Sequence, residues 1–442
     1  MGINVLLLGS GAREHTIAWR LIQSPRLSKL WVADGNAGTA SIATNLAIKP
    51  EDVDGIVAAA KSLEIDLVVV GPELPLSLGV VDRLTSQGIA AFGPTEAAAR
   101  IESSKSFALE VMKEAGVPCP NFWVFQKESS ALKFLQSHSG PMVVKADGLA
   151  AGKGVILCGN ANEAADAVRA CMIDRAFGEA GDTVVIEEML TGPEVSVFAF
   201  SDGEQISSLV AACDYKRLGD GNGGPNTGGM GSYSPPSFWD QELAQKVEQT
   251  IMWPVIKTLA RRGYPYKGVL YAGIMLATDG PKVLEFNCRL GDPETQVVLP
   301  RLATDPLDVF QACVEGRLGQ LPVQWDDQCY VGVVLASGGY PGKFKTGFAI
   351  SGAEAPEENA VPEDTMIFHA ATRQETAGDE TQLVTSGGRV MTVVGKGNSL
   401  AEARAKAYDR ARRISFHGAI FRTDIAKLGE EHSITQSRAE HL

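Results

Sequence analysis

The stretch Met142-Val-Val-Lys145-Ala-Asp-Gly148-Leu-Ala-Ala-Gly152-Lys153-Gly154-Val-Ile-Leu157 has two readings that lead to different architectures. As a Walker-type phosphate loop it would join a strand to a helix. The spacing fails that test: the span from Gly148 to Gly152 is one residue short, and Gly154 stands where a Ser or Thr would hold magnesium. As two apolar strands around a glycine-rich hairpin it needs no such residue. A flexible hairpin carrying Gly152, Lys153 and Gly154 can fold over a triphosphate. Lys145 ends the first strand among apolar neighbours, where an ammonium needs an anionic partner to offset its desolvation. We adopt the hairpin reading, with a purely structural turn as its competitor.

Downstream, residues 183–186 read as a buried strand running into Glu187-Glu188-Met-Leu190-Thr-Gly-Pro-Glu194. A purine pairs with backbone groups where a strand leaves into a hinge, and a carboxylate beyond it can take both ribose hydroxyls. Two acids at a strand end are equally well surface charges; following the lysine hairpin, they read as a nucleotide clamp. Strands at 195–200 and 209–213 lead into Asp214-Tyr-Lys216-Arg217 and a loop holding Gly219, Gly221, Gly223, Gly224, Gly228, Gly229 and Gly231. Lying between strands and mixing charges with Asn226 and Thr227, it reads as a binding loop rather than a linker. A helical stretch at 241–262 and a strand at 269–276 then precede Val283-Leu-Glu285-Phe-Asn287-Cys-Arg289-Leu-Gly-Asp292-Pro293-Glu-Thr-Gln296. Period-two alternation aims Glu285 and Asn287 at one face of a strand. Two oxygen donors one pleat apart suit magnesium, which completes its shell with phosphate and water. Arg289 follows in a turn that leaves its guanidinium free to grip a carboxylate or phosphate. For any one of these residues a solvated strand end is the blander reading, and their clustering is what overrides it.

The amino-terminal third alternates short apolar runs (3–8, 30–33, 67–70, 89–92) with helical patterns (16–23, 79–86), which predicts a doubly wound parallel sheet. Its turns are glycine-rich: Gly9-Ser-Gly11-Ala-Arg13-Glu14, Gly35-Asn36-Ala37-Gly38-Thr39 and Gly71-Pro72-Glu73. All three belong at the carboxyl ends of strands, where such sheets bind ligands. The first resembles a dinucleotide fingerprint with Asp34 placed for a ribose, but Glu14 puts a carboxylate where the third glycine belongs. Residues 36–39 read as a phosphate nest with exposed amides. One long helix is expected over 95–116 with Lys105 in it, which alone would be an ordinary solvated lysine. From about Tyr330 a separate small α+β unit is expected, with strands at 331–336 and 390–394, a helix over 400–414 started by a Ser399/Glu402 capping box, and a turn at 338–342. The tail from Gly429 is polar and expected to be disordered.

At 442 residues the chain exceeds one core and suggests roughly three or four domains. Its net charge of −13 argues against coating nucleic acid or an anionic membrane. Seven scattered cysteines with no Cys-x-x-Cys pair fit a reducing cytoplasm better than a disulfide framework or zinc site. The amino terminus enters a strand without a basic leader, and no apolar run is long enough for a membrane span. The six histidines show no ligand spacing, so none is nominated as a base.

In this order the motifs resemble the phosphoribosylamine–glycine ligase family, also called glycinamide ribonucleotide synthetases, of the ATP-grasp superfamily. The resemblance rests on Gly35-Asn-Ala-Gly-Thr39, Val70-Gly-Pro-Glu73, residues 145–154, Gly224-Pro-Asn-Thr-Gly-Gly-Met-Gly231, Glu285-Phe-Asn-Cys-Arg289 and Gly291-Asp-Pro-Glu-Thr295. It implies a phosphoribosylamine-binding domain at 1–103, an ATP-grasp domain at 104–326 with a flexible lid at about 122–190, a C-terminal domain at 327–428 and a tail at 429–442. It also implies ATP-dependent ligation of glycine to 5-phosphoribosylamine through glycyl phosphate, by a cytoplasmic monomer that needs no nucleic acid or membrane. Residue by residue, Lys105, Lys145, Gly152, Lys153 and Gly154 would meet ATP phosphates, Glu187, Glu188 and the Leu190 backbone the adenine, and Glu194 the ribose. Glu285 and Asn287 would hold magnesium or manganese. Arg289 would meet the glycine carboxylate or acyl phosphate, with Lys145, Asp214 and Lys216 catalytic beside it. Gly11, Arg13, Glu14, Asn36, Ala37, Gly38, Thr39, Gly71, Pro72, Glu73, Asp292 and Pro293 would bind phosphoribosylamine. The chain departs from the family pattern at Ala12 and Thr16 in the first turn and at Tyr215, where His is usual. Rival readings are a ligase acting on another ribonucleotide, a dehydrogenase, and a nucleotide sensor without catalysis.

Overall fold

The computed structural model describes residues 2–150, 154–353, 364–377 and 380–427; Gly152, Lys153 and the tail from Gly429 lie outside the described residues. Strands β1 (Ile3–Gly9), β2 (Leu27–Asp34), β3 (Thr44–Leu46), β4 (Leu67–Val70) and β5 (Ala90–Phe92) form the parallel sheet, in the order 3-2-1-4-5. Apart from Asn4, β1 and β4 are apolar because helices cover both faces of such a sheet. The order reverses between them, so the turns after Gly9 and Val70 open side by side at the switch point.

The single helix expected over 95–116 is instead two, Glu96–Ser103 and Lys105–Ala115. Ser104 between them is extended (φ −141°, ψ 111°), and its hydroxyl accepts Phe107 N at 3.2 Å to cap the second helix. The Asp147 carboxylate takes Ser106 N at 2.6 Å and Ser106 Oγ at 2.7 Å. Lys105 therefore starts a helix beside the hairpin rather than lying on the outer face of a long one.

Strands β6 (Phe122–Phe125), β7 (Met142–Ala146), β8 (Val155–Cys158) and β9 (Val184–Glu188) make a four-stranded antiparallel sheet, ordered 6-9-7-8. Met142 faces Cys158 and Lys145 faces Val155, so the segment 142–157 is a hairpin and not a strand–loop–helix. This sheet has its own core, with Ala131, Val144, Val168 and Ile186.

The remaining strands are β10 (Glu194–Asp202), β11 (Val210–Asp214), β12 (Arg217–Gly219), β13 (Gly223–Asn226), β14 (Gly231–Ser234), β15 (Lys267–Ala277), β16 (Gly280–Asn287), β17 (Cys329–Ala336), β18 (Thr365–His369), β19 (Thr372–Ala377), β20 (Glu380–Thr385) and β21 (Arg389–Gly397). Eight of them form one antiparallel sheet, 16-15-10-11-14-17-21-18. The C-terminal segment is thus not a sheet apart. β17 pairs with β14, Gly231 facing Val333 and Ser234 facing Tyr330, which covers an edge that four residues would otherwise leave unpaired. The glycine loop is partly regular, since β12 and β13 pair as a ribbon. In the C-terminal helix, Leu400–Ala411, Ser399 Oγ accepts Glu402 N at 3.2 Å. Glu402 reaches back to Asn398 N, one residue beyond the expected box.

One apolar core joins the first sheet to the central one, running from Leu6 and Val68 through Phe107 to Val197, Ile274 and Phe286. No helix among the described residues is long and apolar enough to cross a membrane.

Candidate active site

Strand alternation places Lys145 on β7 and Glu187 on β9 on the same sheet face, with Val143 directly opposite Glu187. Both side chains are buried, and Lys145 Nζ lies 2.7 Å from Glu187 Oε2 while donating to the Leu284 carbonyl at 2.9 Å. Burial raises the Glu187 carboxyl above its ordinary range, with Lys145 partly offsetting it. Lys105 Nζ donates to Gly148 O at 3.2 Å, and burial lowers its pKa although Glu285 favours its charge. Lys216 pairs with Glu194, the residue expected to hold a ribose, and its ammonium is held charged against burial by Asp214, Glu194 and Glu285. Burial pushes the Asp214 carboxyl up to about 7; Lys216 opposes this, and Glu294 and Glu194 add to it. These groups converge on Glu285. Burial alone would raise its carboxyl, but Lys216, Lys145, Lys105 and Arg289 outweigh that and hold it below its usual range.

Glu285 and Asn287 share a face of the outer strand β16, opposite Gly273 and Tyr271 of β15. They supply a carboxylate and an amide oxygen, which are hard donors that fit magnesium or manganese. No group of three or more His, Cys, Asp or Glu suited to a metal occurs among the described residues, so phosphate and water would have to complete the shell. Glu188 is held by Asn121 Nδ2 at 2.8 Å. Leu190 lies half-buried in the turn between β9 and β10, and buried Gly154 closes the hairpin with its carbonyl accepting Ala146 N at 2.9 Å.

Arg289 is not a free guanidinium. Its Nε lies 3.1 Å from Glu73 Oε2, one terminal nitrogen lies 2.9 Å from Glu102 Oε1, and the Asn287 amide oxygen accepts from it at 3.3 Å. Glu102 also takes Cys288 N at 2.8 Å. Against burial, Glu102 and Glu73 hold Arg289 firmly charged. Burial would raise Glu73, but Arg289 and Arg13 bring its carboxyl down to about 2. Sequence reasoning missed Glu102 because a lone acid on a helix carries no signal until its partner, far along the chain, is brought beside it.

The first glycine turn is built around Glu14, not a pyrophosphate. Glu14 Oε2 accepts Gly11 N at 2.7 Å, Oε1 lies 2.6 Å from Arg13 Nε, and Arg13 also donates to Leu290 O at 3.1 Å. A Cβ added at Gly71 would lie 2.2 Å from Glu14 Oε1, and one at Gly9 2.6 Å from its carboxyl carbon. The two glycines therefore make room for this buried acid, which rules against the dinucleotide reading. Ala12 and Thr16 bond to each other inside the following helix, and Pro72 precedes the helix Glu73–Ser77. The nest at 36–39 does not offer the exposed amides expected of it. Asn36 Oδ1 already accepts Gly38 N at 2.8 Å and Thr39 N at 3.0 Å, and its Nδ2 donates to Ser10 O and His369 O.

Between these turns and the C-terminal strands lies a cavity of about 800 Å³, lined by Gly11, Asn36, Ala37 and Asp292 on one side and by residues 370–374, Ser386, Gly388 and Arg389 on the other. Arg13, Glu14 and Glu73 do not line it. Arg389 lies 3.2 Å from Asp292 Oδ2 and donates to the Gly228 and Asp292 carbonyls at 2.6 and 2.7 Å. Tyr340, in the turn at 338–342, accepts Gly228 N at 2.9 Å. Pro293 props the loop: a Cβ at Gly229 would fall 2.3 Å from its ring. Tyr215 points into the C-terminal seam instead, accepting Ala426 N at 2.9 Å under the Arg422 guanidinium. Arg389 was legible as a glycine pair followed by an arginine at a strand start, a signal the sequence reading passed over.

The chain matches three family models in succession: phosphoribosylglycinamide synthetase N domain over residues 3–102, its ATP-grasp (A) domain over 103–295 and its C domain over 330–428. It is 45% identical over 439 residues to a phosphoribosylamine–glycine ligase of Halalkalibacterium halodurans, spanning 99% of this chain and all of that protein. It is also 45% identical over 429 residues to the trifunctional purine biosynthetic protein adenosine-3 of Gallus gallus, covering 96% of this chain and 42% of that protein. The crystal structure of a Thermotoga maritima phosphoribosylamine–glycine ligase superposes with a TM-score of 0.81 at 34% identity, over 96% of this chain and all of that one. A biotin carboxylase from Campylobacter jejuni (TM-score 0.70, 17% identity, 95% and 93% covered) shares the fold alone. A parallel sheet, a hairpin-bearing antiparallel sheet and a central sheet with an acid–amide pair on its outer strand define an ATP-grasp ligase. Within that class, the chain belongs to the phosphoribosylamine–glycine ligase family of purine biosynthesis.

Proposed function

We propose that the protein ligates glycine to 5-phosphoribosylamine in the cytoplasm through a glycyl phosphate. ATP phosphorylates the glycine carboxylate, the amine of phosphoribosylamine attacks the acyl carbon, and phosphate leaves. The products are glycinamide ribonucleotide, ADP and phosphate. The observation that carries this reading is the convergence of three lysines and one arginine on Glu285; Asp292, three residues after Arg289, lines the cavity, which is large enough for a sugar phosphate. Phosphoryl transfer needs no protein nucleophile; it needs reactants held in line and charge neutralised as it shifts. Lys105, Lys145 and Lys216 would supply that positive charge, and Arg289 would have to leave Glu73 or Glu102 to bind a carboxylate or acyl phosphate. Magnesium or manganese, held by Glu285 and Asn287, would screen the phosphate oxygens. The hairpin at 146–154 would exclude water, which otherwise hydrolyses an acyl phosphate.

ADP release measured with ATP, glycine and freshly generated phosphoribosylamine tests the reading. Release should require both co-substrates, and equal release without phosphoribosylamine, or with another ribonucleotide in its place, would overturn it. Glu285→Gln keeps the shape and removes the charge. It should lower kcat/KM by roughly a hundredfold or more and raise the metal concentration needed for half-maximal rate.

A further inference from the structure

We propose that the turn at 386–389 of the C-terminal segment is the phosphate-binding end of the cavity, and that Ser386, Gly388 and Arg389 take the 5-phosphate of a pentose phosphate. This rests on the ligation described above and adds to it the orientation of the amine substrate. The amino-terminal wall is a poor host for a dianion. The amides of Gly38 and Thr39 are already filled by the Asn36 side chain, whose own amide group is turned onto two carbonyls. That wall also presents the acids Asp34 and Asp292, with Lys49 committed to Asp34 at 3.1 Å.

The opposite wall carries a hydroxyl and a guanidinium that reach the cavity. Ser386 is exposed to the cavity, and Arg389 reaches in from the first residue of β21. Both intervening glycines are required by packing: a Cβ at Gly387 would lie 2.6 Å from Ala371 Cβ, and one at Gly388 2.4 Å from the Tyr340 ring. The turn therefore presents a hydroxyl and a guanidinium together, the latter also bonded to Asp292 and to the Gly228 carbonyl, a donor set that suits phosphate oxygens once the phosphate displaces the Asp292 contact. Arg389 also touches Asp292, which follows Arg289 by three residues. A sugar phosphate seated with its phosphate at Arg389 would thus lie along Asp292 and direct its anomeric amine toward Arg289 and Glu285.

Two variants test this. Arg389→Gln removes the charge. Ser386→Asp leaves the bonds of Arg389 to Gly228 and Asp292 in place and sets a carboxylate against the phosphate, so a misfolded loop cannot explain its effect. Each should raise KM for phosphoribosylamine by roughly tenfold or more, the scale of a lost charge-assisted hydrogen bond, with KM for ATP and glycine unchanged. Calorimetry should show ribose 5-phosphate binding the natural protein and failing to bind either variant. Unchanged KM for phosphoribosylamine in both variants overturns the assignment. So does inorganic phosphate binding as tightly as ribose 5-phosphate, which would make the turn a site for released phosphate. A natural protein that binds ribose 5-phosphate in an Arg389-dependent way but makes no glycinamide ribonucleotide would instead sink the ligation reading and leave the anion site standing.

Discussion

Lys145 and Glu187 form a buried ion pair. Removing one member strands the other, so Lys145→Ala should cost about 3–5 kcal/mol of stability besides lowering kcat/KM at least roughly a hundredfold. The double variant Lys145→Ala/Glu187→Gln should recover much of the stability and none of the activity, as read by denaturant titration and initial rates. Asp214 offers a second handle. With its carboxyl at about 7, it is largely protonated below neutrality, so kcat/KM should fall as pH drops through about 7. Asp214→Asn should abolish that inflection while leaving the rest of the pH–rate profile. At this scale the sequence was informative where strand alternation fixes a direction, as for Glu285 and Asn287, and where a charge stands among apolar neighbours, as for Lys145. It was silent on charge partners: nothing local marks Glu102 as the acid for Arg289, or Glu14 as the occupant of its own glycine turn.

The helix Ala12–Leu21 meets the end of β18 through two histidines. His15 Nδ1 accepts His369 N at 2.8 Å, and His369 Nδ1 lies 3.0 Å from Thr372 Oγ1. Burial, with His369 adding to it, lowers His15 to about 3; burial lowers His369 to about 4. Unfolded, both would titrate at their ordinary value of 6.5. Between about 6.5 and 4 the unfolded chain therefore binds protons that the folded one refuses. The stability they support is complete above 6.5 and should decline as pH falls, by on the order of 1 kcal/mol per pH unit for each ring. Unfolding free energies measured from pH 7 to 4.5 should show this slope, and His15→Asn should roughly halve it, leaving the share that belongs to His369. The breakage of the helix at Ser104 belongs here too. Helical periodicity runs unbroken through 95–116, and the extended Ser104 is favoured by its own hydroxyl capping Phe107 N together with the distant Asp147, which takes the Ser106 amide and hydroxyl.

Across the whole molecule, β1, β2, β4 and β5 of the parallel sheet and β7, β8 and β9 of the hairpin-bearing sheet were legible because these strands are bounded by glycine turns and their apolar runs are clear, whereas β3 and β6 were not expected. The continuity of the central sheet was not, since Gly-Ser-Tyr-Ser at β14 carries no apolar alternation and its partner lies about a hundred residues on. That continuity makes the C-terminal segment part of the ligase body. A chain ended at residue 328 should lose the β17 partner of β14 and expose that edge. Hydrogen exchange should then report rapid exchange through β14 and β11, and the fragment should associate with itself.

Lys145 also bears on how the empty and loaded proteins compare. One ammonium stitches the hairpin-bearing sheet to an outward carbonyl of the central sheet at Leu284, and in the same place quenches Glu187. A nucleotide that draws the ammonium onto its phosphates severs both ties at once and must itself become the mortar between the two bodies. Its measured affinity is then the balance of what it makes less what it undoes.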